Sequence, residues 1–259
     1  MMHWRITVAL LGCVGAVQAQ PQTLVEVLQA ARMADKNLNC TSSARTNAQG
    51  LVLDWSTANW GDTLVDEAQD AGNPRAARAL WKLAANCYAQ TLKLDPKNSA
   101  AATGLGNAFS LEANTLAKTD MFTARALWVK AKSAYALALA INPRHYVAAR
   151  DWAAAVLQER GALIYAGPEQ TGELSAVNAQ LQNLKILLLS HADEPQASAA
   201  YNLACIFAVQ GNAAEAIKSL QRSDKAGRLP TKKDVSIDPD FDGIRQDDAF
   251  KAWFDKLEK

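Results

Sequence analysis

The chain has 259 residues, 49% of them hydrophobic and 20% charged, with 27 Lys plus Arg against 26 Asp plus Glu. That composition is globular and excludes disordered and fibrous classes. A formal charge of +1 leaves no electrostatic footprint for nucleic acid or an anionic membrane. Alanine makes up about one residue in five and β-branched residues are sparse, which favours helices packed closely through small side chains and argues against an all-β fold.

The chain opens MMHWRITVALLGCVGAVQAQPQ: Arg5 precedes the apolar run Ile6 to Val17, and Val17-Gln18-Ala19 is a small-residue cleavage site. This is the pattern of a secretory signal peptide over residues 1–19, so a periplasmic or secreted protein is expected. A run of 12 apolar residues is too short to span a bilayer, which takes about 20, and no later stretch is better suited. A minority reading takes Leu10-Leu11-Gly12-Cys13 as a lipobox acylated at Cys13, but that leaves too short an apolar core. Cleavage after Ala19 removes Arg5 and leaves 26 basic against 26 acidic residues. It also discards Cys13, leaving Cys40, Cys87 and Cys205, enough for at most one intramolecular bridge. Cys87 and Cys205 fall in alanine-rich helical patterns and read as small buried hydrophobes, whereas Cys40, in a polar stretch, is the candidate reactive thiol.

Further along, residues 20–36 pattern as one amphipathic helix within an N-terminal segment that ends at 54, with a linker over 37–52. A helix over 56–71 pairs with one over 74–94, the latter opened by Asn73 as N-cap and Pro74 at the first helical position. Helices follow near 99–118, 121–141, 146–165 and 172–190, punctuated by Pro168, and a shorter pair falls within 197–230, closed by Gly227. Residues 231–259 form a C-terminal capping segment, with Ile237, Phe241, Ile244, Phe250, Trp253 and Phe254 available to cover the end of the array.

An internal repeat ties the central elements together. Residues 77–96 (ARALWKLAANCYAQTLKLDP) and 124–143 (ARALWVKAKSAYALALAINP) are identical at ten of twenty positions, at an offset of 47. The shared positions are Ala77/Ala124, Arg78/Arg125, Ala79/Ala126, Leu80/Leu127, Trp81/Trp128, Ala84/Ala131, Tyr88/Tyr135, Ala89/Ala136, Leu92/Leu139 and Pro96/Pro143. Spacings of three and four put the Trp, Ala, Tyr and Leu members on one helical face.

With Ala131, Tyr135, Ala138 and Pro143, with Ala84, Tyr88, Thr91 and Pro96, and with the Leu105, Gly106, Phe109 signature of a first helix, the chain resembles the tetratricopeptide repeat family. A further copy reads Leu203, Ala204, Phe207, Gly211, Ala216 and Leu220. The resemblance implies an all-α fold over 55–230, a right-handed α-solenoid of antiparallel helix pairs. Leu105 to Ala131 spans 26 steps where the family has 13, so the middle helices are expected to be elongated, by nearly two turns each.

The resemblance further implies an exported, non-catalytic scaffold or adaptor that holds a protein or peptide partner in a concave groove. Carried-over groove positions are Thr103, Asn107, Arg150, Tyr201 and Asn202, whose Asn amides suit a peptide backbone and whose Arg suits a carboxylate. Alternatives are an accessory, assembly or inhibitor protein dedicated to one exported enzyme, and a hydrolase or redox protein with an unrecognised site near Cys40. No catalytic residue, metal, cofactor or nucleic-acid partner is expected. Asp238, Asp240, Asp242 and Gly243 match the opening of an EF-hand loop, but Ala249 stands where the bidentate Glu belongs and Arg245 where an apolar residue does. The aspartates therefore read as turn and cap residues. His145 and His191 lie beside proline-containing helix ends, outside metal or nucleophile motifs, and read as surface caps. Gly104-Leu105-Gly106 lacks the strand context of a phosphate loop. Lys225, Arg228, Lys232 and Lys233 read as a solvated basic loop.

Overall fold

The computed structural model describes residues 45–46, 52–53, 57–190 and 198–257. The signal segment with Cys13, the helix expected over 20–36, Cys40 and His191 lie outside the described residues. Among those described the fold is all-α, apart from one short antiparallel pair in which Arg45 stands opposite Leu53 and Thr46 opposite Val52. This pair occupies a stretch read from sequence as linker.

The helices follow the breakers closely. They are α1 (Thr57–Asp70), α2 (Pro74–Leu94), α3 (Ser99–Leu116), α4 (Met121–Ile141), α5 (Tyr146–Ala166), α6 (Thr171–Leu189), α7 (Ser198–Val209), α8 (Ala213–Lys225), α9 (Lys232–Ile237) and α10 (Asp248–Asp255). A 3-10 turn at Pro168–Gln170 precedes α6, and a longer one at Pro239–Ile244 precedes α10. Asn73 caps α2 by accepting from the backbone N–H of Arg75 and Ala76, while Pro74 lacks the N–H that this turn would leave unsatisfied. Asn98, Asp120 and Asn212 cap α3, α4 and α8 in the same way. Gly211 and Gly227 hold left-handed φ values of 73° and 67° just beyond helix ends, where a Cβ would be strained. The elongation expected of the middle pair is present, with 18 residues in α3 and 21 in α4.

Two compact units divide at residues 148/149. In the first, α1 packs on α2, α2 on α3, and α3 on α4. Its core combines large repeat residues (Trp81, Tyr88, Trp128, Tyr135) with alanines that are fully excluded from water (Ala84, Ala101, Ala131, Ala138). Each large side chain contributes about 2–3 kcal/mol on burial, and the alanines allow helix axes to approach closely enough for those rings to fill the space between them. In the second unit α6 and α8 both pack on α7, the 3-10 turn at Pro239–Ile244 lies on α7, and α10 lies on α8.

The C-terminal segment buries Phe241, Ile244 and Phe250 as its pattern predicted, but Ile237 is exposed. Ile237 is the last residue of the six-residue α9, and the turn begins only at Pro239, so its side chain stays in water. Tyr201, Phe241, Phe250 and Phe254 form a chain of ring contacts, with successive centroids 5.9, 5.7 and 6.1 Å apart. The basic stretch is also more structured than expected. Lys232 Nζ lies 5.2 Å from the Phe254 ring centroid and donates to the carbonyls of Asp255 (3.2 Å) and Leu257 (2.9 Å), placing a cation at the negative end of α10.

Candidate functional site

The most regular polar feature of the first unit is a pair of equivalent contacts between glycine, an Asx residue and tyrosine. On α3, Gly106 lies against the ring of Tyr135 from α4, and the Tyr135 hydroxyl donates to Asn107 Oδ1 at 2.7 Å. On α1, Gly61 lies against the ring of Tyr88 from α2, and the Tyr88 hydroxyl donates to Asp62 Oδ1 at 2.5 Å. Only glycine fits beside either ring: a Cβ at 106 would meet Tyr135 Cε1 at 2.6 Å, and one at 61 would overlap Tyr88 outright. Tyr88 is enclosed from a second side by Gly104 of α3. Burial, with Asp62 next in importance, pushes its phenol far above the ordinary value of 10. The Gly106 member lies in the Leu105, Gly106, Phe109 run that the sequence pattern singles out. The Gly61-Asp62 doublet is the same signal one helix pair earlier, and sequence reading passed over it.

The five groove candidates fall into two sets, one in each unit. In the first, Thr103 is buried and its hydroxyl donates to the Ser99 carbonyl at 2.9 Å, while Asn107, half-buried one turn later, is oriented by Tyr135. In the second, Arg150 holds Asp151 through Nε (2.7 Å) and Nη2 (2.6 Å), and its backbone carbonyl accepts from Asn202 Nδ2 at 3.0 Å. Tyr201 donates to Asp238 Oδ2 at 2.7 Å. The structure thus joins Arg150 to Asn202, and its hydrogen bonds tie these side chains to other parts of the chain.

Around Tyr201 lies a buried polar cluster that sequence reading missed. Cys205 Sγ and one oxygen each of Asp238 and Asp240 lie within 4.8 Å of one another, the one group of three potential metal ligands among the described residues. The contacts inside it show what the cluster does. Asp238 Oδ2 accepts from the Tyr201 hydroxyl and, at 3.9 Å, from the Cys205 thiol, while Oδ1 accepts the Asp240 N–H at 3.0 Å. Asp240, wholly buried, has the Arg160 guanidinium of α5 at 3.7 Å, a charge that opposes a cation beside it. Asp242 is engaged by Arg245 at 2.7 Å, and Arg245 also donates to the Ser236 and Asp238 carbonyls. The EF-hand-like run is therefore a capped 3-10 turn pinned to α5 and α7. Asp238 and Asp240 are its anchors, in line with the turn reading of these aspartates. No pattern in the sequence signals Arg160 as their counter-charge, because it comes from an element about 80 residues away.

Two further features bear on chemistry. His145 is a cap: its Nδ1 accepts the Ala148 N–H at 3.2 Å, at the start of α5. Cys87 corrects the reading of it as a simple buried hydrophobe. It is buried, as expected, but disulfide-bonded, and its partner is outside the described residues. Elsewhere in the first unit, the buried Glu112 of α3 has Arg78 at 3.7 Å and Lys82 at 3.6 Å, both from α2. No described helix is long and apolar enough to cross a membrane. No protein-family model and no curated protein matches the chain.

Proposed function

We propose that the protein is exported and acts as a non-catalytic scaffold of tetratricopeptide-like helix pairs with right-handed winding within each unit, binding a protein or peptide partner through the faces that carry the groove candidates. The observation that carries this reading is the doubled helix pair: α1/α2 and α3/α4 repeat the same glycine, Asx and tyrosine contact. A fold built by repeating one packing unit presents the same helix face at each step, which suits an extended ligand. Thr103 and Asn107 in the first unit, and Arg150, Tyr201 and Asn202 in the second, are the proposed contact residues. Asn107 has its amide oxygen held by the Tyr135 hydroxyl, which fixes the direction of its amide.

The test is affinity capture from an envelope extract with the mature chain as bait, repeated with Asn107→Ala and Arg150→Ala variants of unchanged helicity. A stoichiometric partner lost with either variant supports the groove. A single captured enzyme whose activity changes on binding identifies the accessory or inhibitor role. Recovery of no stoichiometric partner, or equal recovery by every variant, overturns the reading.

A further inference from the structure

We infer that Cys40 is the disulfide partner of Cys87, so that the segment preceding α1 is covalently fastened to α2. The chain has four cysteines. Cys87 is disulfide-bonded, and Cys205 is a buried thiol that donates to Asp238, which leaves Cys13 and Cys40. The choice between these rests on the export reading: removal after Ala19 takes Cys13 away with the signal segment, and acylation at a lipobox would convert its thiol to a thioether. Either outcome leaves Cys40 as the one thiol available within the chain.

A second chain is a poor source of the partner sulfur. A disulfide needs Cα atoms less than about 7 Å apart, yet Cys87 is 1% exposed within the core formed by α1, α2 and α3. A second folded copy cannot bring its backbone that close to a buried side chain without opening the helix pair. A segment of the same chain can pack over Cys87 as the unit folds, and Cys40 lies only five residues before the strand pair that starts at Arg45. Those five residues span at most about 18 Å.

Bond formation balances as thiol–disulfide exchange with a disulfide-bearing oxidant. One thiolate of the pair attacks a sulfur of the oxidant and expels its other sulfur as thiolate. The second cysteine then attacks the mixed disulfide, forming the Cys40–Cys87 bond and releasing the oxidant as a dithiol that carries the two electrons and two protons. This chemistry belongs to an oxidising compartment, where an exported chain would fold.

The test uses the full chain with its own N-terminus, produced in a host that exports it, denatured in alkylating agent without reductant, digested, and mapped by mass spectrometry. The expected map contains one linked peptide pair joining Cys40 to Cys87, with Cys205 alkylated. Cys87 recovered alkylated, or linked to Cys13, to Cys205 or to a second chain, overturns the assignment. The same map reports the N-terminus separately: a retained Met1 defeats the export reading, while the linkage found stands on its own. In a Cys40→Ser variant Cys87 should be recovered alkylated, and since alkylation is done on denatured chain, this result is readable whether or not the variant folds. Persistence of a Cys87 disulfide in that variant would equally refute the pairing.

Discussion

Replacing Gly106 by Ala sets two effects of known direction against each other. In the interior of a helix the exchange should stabilise by up to about 1 kcal/mol, because alanine loses less conformational freedom on folding. The added methyl, however, would stand 2.6, 2.8 and 2.9 Å from Tyr135 Cε1, Cδ1 and Cζ, where ordinary contact begins near 3.4 Å. The ring has no room to retreat, being 1% exposed, with its hydroxyl tied to Asn107 in the next position. Overpacking in a core that cannot relax costs about 1–3 kcal/mol, and this site belongs at the upper end. The net expectation is a loss of about 1–2 kcal/mol, read as a lower urea midpoint at unchanged slope. Gly172 in α6 is the control: a Cβ there meets nothing within 4 Å, so Gly172→Ala should gain a few tenths to about 1 kcal/mol. Combining Gly106→Ala with Tyr135→Leu should return about 1–2 kcal/mol of the clash as coupling. If Gly106→Ala stabilises as Gly172→Ala does, the close glycine–tyrosine packing is wrong.

Other perturbations test separate parts of the molecule. Tyr88 has its phenol raised by burial and by Asp62, so stability is unaffected below the unfolded value near 10 and falls above it, as the unfolded chain ionises and the folded one does not. The loss should be about 1.4 kcal/mol per pH unit, and urea midpoints between pH 9 and 11 for wild type and Tyr88→Phe would show it; parallel curves for the two proteins would count against it. Burial first, and then Asp62 and Asp70, raise Asp66, so at neutral pH its charge costs stability that protonation would restore. Asp66→Asn should stabilise by about 0.2–0.5 kcal/mol at pH 7 and by nothing below pH 3, as followed by thermal melts. Arg160→Met leaves the buried Asp240 without the guanidinium at 3.7 Å and should cost the second unit about 3–5 kcal/mol by chemical denaturation; a cost under about 1 kcal/mol would show that other contacts compensate the charge. If Cys40 and Cys87 are joined, reduction should destabilise the first unit by about 4 kcal/mol, the loop entropy of 48 residues. An unchanged melting temperature in reductant would contradict that magnitude.

Much of the helical framework was legible because its signals are local. Asn73-Pro74 marks the start of α2 and Gly227 the close of α8, and each requires only the residues beside it. The repeat at an offset of 47 was equally visible, since a packing unit used twice leaves the same side chains at the same spacing. The partners of the polar groups were not legible, because pairing across the fold leaves no periodic trace. Nothing near Asp240 indicates Arg160, and nothing in α7 shows that Tyr201 and Cys205 share one oxygen of Asp238. The candidate contact residues were carried over from the family resemblance, and the hydrogen bonds that orient them, such as Tyr135 to Asn107 and Asn202 to the Arg150 carbonyl, left no trace in the sequence.

The double enclosure of Tyr88 governs how the first unit can be divided. One ring rests against Gly61 of α1 and Gly104 of α3 together, so the turn over residues 95–98 is not a seam between independent modules. A fragment ending there would keep α1 and α2 whole and still expose one face of an aromatic side chain to water. Excision or duplication that respects the packing has to carry the glycine of the following helix with it, which sets the smallest transferable piece at three helices instead of two.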